Sequence, residues 1–230
     1  MYQDHRIGAL LLMGGTGERF GDPLPKQFHL LRDKRVYLHT LEIFRKTAVF
    51  DEILLVCHPG WIDLVCEEVS DVCVVAAGST RQESSFLGLH SFSQPPDIVV
   101  IHDAVRPFVT EEILRNNIDT AILYGAADTC IPSTDTLVHA PQGNQIRAIP
   151  LREEFLRGQT PQTFRYSWIM EAHHAARKLG IAKATDDCTL VLQQGLPVFI
   201  VPGSERNMKI TTAWDLQIAA FLHERNVFRH

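Results

Sequence analysis

Cations recur at matching places along this 230-residue chain, each just after an apolar run. Arg19 and Lys26 flank the loop Met13-Gly14-Gly15-Thr16-Gly17. Arg81 follows Gly78-Ser79-Thr80, Arg106 closes Ile101-His102-Asp103-Ala104-Val105-Arg106, and Lys209 sits in Asn207-Met208-Lys209-Ile210-Thr211. If the apolar runs are parallel strands, all four groups meet at one sheet edge, where open α/β folds bind ligands. One surface cation means little, but four converging clusters predict a strongly anionic ligand.

The first loop sharpens that reading. Gly14, Gly15 and Gly17 let the backbone bend and turn several N–H groups toward one anion, as a polyphosphate cradle requires. A Walker A loop would end in Gly-Lys-Ser/Thr, which is absent. A dinucleotide fingerprint would place a third glycine at a helix start and an acid about 20 residues on; here Gly17 precedes Glu18-Arg19-Phe20, and the second strand ends in Cys57-His58-Pro59. Asp103 is the one carboxylate set among the cations, and an aspartate plus phosphate oxygens is a usual way to hold Mg²⁺; a turn or helix-capping aspartate is the plainer reading. The eleven histidines show no HExxH spacing, and His173-His174 reads as helix surface and boundary. No GxSxG and no nucleophilic triad occurs. A phosphate monoester is mostly ionised at pH 7, its second pKa being about 6. Such a nucleophile attacks a nucleotide's α-phosphorus without a general base and needs only charge neutralisation and in-line positioning. The inventory fits nucleotidyl transfer between two phosphorylated partners.

The elements that must place these residues are legible in outline. The apolar runs Ile7–Met13, Ile53–Cys57, Val72–Ala76, Ile98–Ile101 and Val198–Val201 are continuous rather than alternating, which predicts parallel strands buried on both faces. Helices are predicted over Val36–Lys46, Trp61–Val69, Ser79–His90 with a Ser79/Gln82 capping box, Thr110–Tyr124, Tyr166–Leu179, Asp186–Gln194 and Thr212–Arg225. The alternation predicts an α/β fold, a three-layer, doubly wound, mostly parallel sheet of Rossmann-like form. It breaks near Pro132–Pro150, where Thr136–His139 and Gln145–Ile149 flank a Pro/Gly/Asn turn. This reads as a protruding β-hairpin arm that would bury its apolar face in a homodimer, or else as a solvated excursion. We expect a single nucleotidyltransferase domain over 1–230, with 132–152 as the arm.

Composition narrows the class. A net charge of −5 argues against a general nucleic-acid binder. No apolar run reaches the roughly 18 residues of a membrane helix, and no signal peptide precedes the first strand. The five cysteines form no CxxC pair, so reduced thiols in a cytoplasmic protein are expected.

Taken together, the motifs resemble the IspD-type cytidylyltransferases nearly end to end. They are Gly14–Arg19, Pro25-Lys26-Gln27, Gly78-x-x-Arg81-x-x-Ser84, His102–Pro107, Asp135-Thr136, Arg152 before Thr160-Pro161-Gln162, Thr185-Asp186-Asp187 and Asn207–Thr211. The resemblance implies CTP, a divalent cation such as Mg²⁺ and a polyol phosphate as reactants and cofactor. Arg19, Lys26, Arg152 and Lys209 would be catalytic. Met13, Gly14, Gly15, Thr16, Gly17, Gly78, Ser79, Arg81, Ser84, Asp103 and Ala104 would bind CTP, with Asp103 beside the metal. Arg106, Thr136, Arg152, Thr160 and Lys209 would hold the acceptor, helped by a partner subunit's arm.

Departures touch the acceptor. Members making CDP-methylerythritol often carry Asp-Thr-x-Lys where this chain has Val138, and Pro25–Phe28 and Gly158–Phe164 are more like the ribitol 5-phosphate enzymes. The expectation is 2-C-methylerythritol 4-phosphate as acceptor, the broader group, with ribitol 5-phosphate as the alternative. A glycosyltransferase would need an Asp-x-Asp motif that is absent, and a non-catalytic nucleotide sensor is the remote alternative.

Overall fold

The computed structural model describes residues 1–17, 20–182 and 184–224. Arg19, expected to be catalytic, lies outside the described residues, as does Arg225. In chain order the elements are β1 (Ile7–Met13), the hairpin β2 (Leu30–Leu31) and β3 (Lys34–Arg35), α1 (Val36–Thr47), β4 (Glu52–Cys57), α2 (Ile62–Glu68), β5 (Cys73–Ala76) and α3 (Arg81–Leu89). There follow β6 (Ile98–Asp103), α4 (Glu111–Tyr124), β7 (Ala126–Pro132), β8 (Leu156–Arg165), α5 (Tyr166–Lys178), α6 (Asp187–Gln193), β9 (Phe199–Pro202) and α7 (Ala213–Glu224).

Seven strands form one sheet in the order β5-β4-β1-β6-β8-β7-β9. β1 pairs in parallel with both β4 and β6 and is buried throughout, which is why its sequence does not alternate. Its side chains still divide between two cores. Ile7, Ala9, Leu11 and Met13 face Tyr37, Leu41 and Phe44 of α1 and Ile113, Leu114 and Ile118 of α4. Leu10 and Leu12 face Leu89 of α3, Ile169 and Ala172 of α5 and Leu190 of α6. Helices therefore cover both faces, giving the three layers expected.

Two strands of the seven-stranded sheet escape the sequence pattern. β7 and β8 are not among the apolar runs read above, and β8 runs antiparallel to both β6 and β7. Its sequence, Leu-Arg-Gly-Gln-Thr-Pro-Gln-Thr-Phe-Arg, looks like a loop; only insertion between two strands makes it extended. Its antiparallel direction brings its first residues to the same edge as the carboxyl ends of β1, β4, β5 and β6.

Helix ends follow local chemistry. Thr110 caps α4 by accepting from the Ile113 N–H, and Asp186 caps α6 by accepting from Thr189. The cap of α3 is shifted from expectation: Thr80, not Ser79, accepts from the Glu83 N–H, while the Glu83 carboxylate accepts from the Ser79 N–H and hydroxyl. The arm also differs. Its two extended runs are joined by a single antiparallel bridge, His139 to Ala148, rather than a paired hairpin. No helix of the described residues is long and apolar enough to cross a membrane.

Candidate active site

Loops from four strand ends converge at the carboxyl edge of the sheet. After β1, the Gln27 side chain, 1% exposed, donates Nε2–H to the carbonyls of Met13 (2.8 Å) and Gly15 (2.9 Å). One buried amide thus fixes the glycine loop from below. Gly14 cannot be larger, because a Cβ there would lie 2.3 Å from the Ala77 Cβ. Gly17 takes φ +78°, a conformation side chains disfavour. Thr16 is exposed on this loop, and Lys26 opens a 3-10 turn, Lys26–Phe28, where it is half-buried.

The second loop, after β5, is folded back on itself. The Ser84 hydroxyl accepts from the Gly78 N–H (3.1 Å) and donates to the Thr80 carbonyl (2.8 Å). Ser84 is buried, so it shapes the turn; Ser79 is set by Glu83, which takes both its N–H and its hydroxyl. Arg81 reaches away from the loop to Asp187 Oδ2 at 2.7 Å.

Asp103 ends β6 at the centre. Its Oδ2 meets Lys209 Nζ at 2.9 Å and Arg106 Nε at 3.4 Å. Burial resists its ionisation, but Lys209, Arg81 and Arg106 hold the carboxyl well below the usual range. Ala104 is buried beside it, donating N–H to the Leu12 carbonyl and accepting from the Thr40 hydroxyl. Among the described residues no group of three His, Cys, Asp or Glu side chains could hold a metal. The donor set suits a Mg²⁺ ion held by one carboxylate and substrate phosphates, not a caged metal.

Beneath Asp103 runs a neutral chain. The Asp103 N–H donates to Thr160 Oγ1 (3.1 Å), Thr160 faces His102 Nδ1 (3.0 Å), and His102 Nε2 faces the Arg106 carbonyl (3.4 Å). Burial pushes the His102 pKa down to about 3. A neutral ring fits this chain only with the hydrogen on Nε2 and the Thr160 hydroxyl donating to Nδ1. His102 is therefore no acid or base at neutral pH. Thr160 and Arg106, expected to touch the acceptor, are buried here; Arg106 donates Nη1–H to the Asn207 carbonyl at 2.8 Å. Asn207 in turn donates Nδ2–H to the Thr160 carbonyl and Gln159 Oε1, tying the Lys209 loop to the start of β8. α7 holds the loop's far end, Asp215 accepting from the N–H groups of Thr211 and Thr212.

The other two acceptor residues lie apart. Thr136 and Arg152 are exposed on the arm, where Arg152 donates to the Thr134 carbonyl (3.1 Å). No hydrogen bond or ion pair among the described residues joins them to Asp103.

Gln27, His102, Gln159 and Asn207 carry no assigned role in the sequence reading. Gln27, His102 and Asn207 stand inside motifs, within two residues of Lys26, Asp103 and Lys209, but no fixed charge marks them in the sequence. His173 is a plainer correction. Expected on the surface with His174, it is 0% exposed and its Nε2 lies 3.1 Å from Asp187 Oδ1.

A glycine-rich loop, a buried aspartate ringed by cations and a doubly wound sheet define a nucleotidyltransferase. The family model described as "IspD: 2-C-methyl-D-erythritol 4-phosphate cytidylyltransferase" matches residues 7–225. A ribitol-5-phosphate cytidylyltransferase of Lactiplantibacillus plantarum is 38% identical, covering 95% of this chain and 99% of its own. The crystal structure of the 2-C-methyl-D-erythritol 4-phosphate cytidylyltransferase of Thermus thermophilus superposes with TM-score 0.78 at 32% identity, covering 94% of this chain and 98% of that one. The 4-diphosphocytidyl-2C-methyl-D-erythritol synthase of Anaerococcus prevotii gives TM-score 0.82 at 27% identity, covering 96% and 99%. The chain belongs to the IspD family and is a cytidylyltransferase.

Proposed function

We propose that the chain joins CTP to ribitol 5-phosphate, giving CDP-ribitol and pyrophosphate. The carrying observation is Asp103 with Lys209 and Arg106 on one oxygen, at the sheet edge beside the Gly14–Gly17 loop. In this reading CTP lies along that loop, its base against Gly78–Arg81 and its triphosphate toward Lys26, with a part for Arg19 resting on the family resemblance alone. The acceptor phosphate, mostly dianionic at pH 7, forms a bond to the α-phosphorus as the bond to the β-phosphate oxygen breaks. Lys26 meets charge on the departing pyrophosphate, and Lys209 holds the acceptor phosphate in line. A Mg²⁺ ion on Asp103 would neutralise triphosphate charge. No proton acceptor is needed, consistent with the buried, neutral His102.

Arg152 enters through assembly. The arm exposes Val138, Ile146, Ile149 and Leu151, and the residues leading from it into β8, Phe155 and Leu156, are exposed as well. An apolar strip of that kind suits a second copy of the chain, which would bring the arm and Arg152 to a completed acceptor site.

The preference for ribitol 5-phosphate over the expected methylerythritol 4-phosphate rests on the 38% relative and on Val138. Methylerythritol 4-phosphate is the second reading, favoured by the family description and the two solved relatives. Pyrophosphate release from CTP and Mg²⁺, with each acceptor in separate reactions, tests both. Release with ribitol 5-phosphate alone supports the proposal; release with methylerythritol 4-phosphate alone replaces it with the second reading.

A further inference from the structure

We infer that His173 and Asp187 are positioning residues that set the nucleotide loop through Arg81, an inference that rests on Gly78–Arg81 lying against CTP. Neither residue has a job in the transfer described above. Both are nevertheless placed with precision, on different helices. Asp187, 1% exposed at the start of α6, receives Arg81 Nη1 on Oδ2 at 2.7 Å and faces His173 Nε2 with Oδ1 at 3.1 Å. Its own N–H donates to Gln162 Oε1 (3.2 Å), the oxygen that Arg81 Nη2 also approaches at 3.5 Å. Arg81 is thereby held by α6 and β8 directly, and by α5 through Asp187.

The chemistry of the His173 ring follows from its neighbour. The Asp187 carboxyl is buried, yet Arg81 and the His173 contact push its pKa down to about 2, so it is an acceptor. His173 Nε2 must then carry the hydrogen. That leaves Nδ1 buried and without a partner among the described residues. A buried unpaired polar atom is costly, and a buried ion pair is a poor source of stability compared with apolar packing. A chain of groups kept at such cost fits a role in placing something.

What it places is the first residue of α3. Arg81 directly follows Gly78-Ser79-Thr80, whose backbone is already tied on the other side by Ser84 and Glu83. With Arg81 fixed as well, the loop has one shape before nucleotide arrives, and the ordering cost of binding falls. The same guanidinium acts on Asp103, so a displaced Arg81 would disturb both halves of the nucleotide site.

Two substitutions separate positioning from packing. Glutamine places its Nε2 amide close to where His173 Nε2 stands, whereas leucine fills the space without a donor. Calorimetric CTP binding should weaken about tenfold or more in His173→Leu, and His173→Gln should stay within about threefold of the wild type. The acceptor KM should be unchanged in both. Wild-type CTP affinity in His173→Leu overturns the inference, as does equal weakening in the two variants. Should His173→Leu not fold, Asp187→Asn replaces it: loss of CTP affinity supports the role and unchanged affinity overturns it. The acceptor proposal fails separately, by no pyrophosphate release with either polyol phosphate while wild-type CTP binding and the variant order persist.

Discussion

Lys209 and Asp103 form the contact on which the proposed chemistry turns. The lysine side chain is 35% exposed and the aspartate 10%, so the pair is open to substrate on the lysine side. Asp103 is buried, but Arg81 and Arg106 remain to hold its charge when the partly exposed lysine is removed. Lys209→Met should therefore leave Tm within a few degrees while lowering kcat/KM for the acceptor by on the order of 100-fold. A steady-state comparison with a melting curve checks this, and an unchanged kcat/KM would remove Lys209 from the site. Asp128 behaves in the opposite way to Asp103. Burial, with Asp186 nearby, raises its pKa to about 6 against the restraint of the Gln162 hydrogen bond. Between its unfolded value near 4 and 6 the folded chain keeps a proton that the unfolded chain has lost, so stability falls as pH rises through that window. Asp128→Asn should raise Tm more at pH 7.5 than at pH 4.5, and an equal gain at both would contradict the shift. Arg81, Arg106 and Lys209, which all act on Asp103, could be found from sequence because each follows an apolar run. Their partners could not, since Asp187 with His173, or Thr160 with His102, meet only when helices and strands are packed.

At the scale of elements, close packing fixes the glycine loop. Gly14 lies so near Ala77 that one methyl group at each position cannot coexist without movement, their Cβ atoms falling at 2.3 Å. Gly14→Ala should weaken CTP binding by about tenfold or more and lower Tm, the cost of overpacking being about 1–3 kcal/mol. Adding Ala77→Gly should restore much of the binding. A double variant no better than the single would show that flexibility at Gly14, not space, is what matters. The strands with strong apolar runs were legible, and so was the extent of the helices to within a residue or two. β8 was not, because Gly158, Pro161 and the polar residues Gln159, Thr160, Gln162 and Thr163 form no apolar run; its form comes from β6 and β7 on either side. The α3 cap falls one residue later than expected because Ser79 and Thr80 are both good caps, and only the direction of Glu83 decides between them.

Across the whole molecule, the doubly wound architecture was readable from the alternation of buried strands and helices, and it is what gathers the distant loops at one edge. The arm was seen as a break in that alternation, but its single bridge shows that the chain alone gives it little pairing of its own. If a second copy supplies the missing contacts, the protein should sediment at twice the 26.0 kDa chain mass. Ile149→Asp with Leu151→Asp should yield monomers that keep CTP affinity and lose acceptor turnover; fully active monomers would separate Arg152 from a shared site. The reaction itself leaves a stereochemical record. With a single diastereomer of CTP carrying sulfur at the α-phosphorus, and ribitol 5-phosphate as acceptor, phosphorus NMR of the product reads the configuration. Inversion is predicted, because the acceptor phosphate attacks directly; retention would require a covalent cytidylyl-enzyme and would contradict direct transfer.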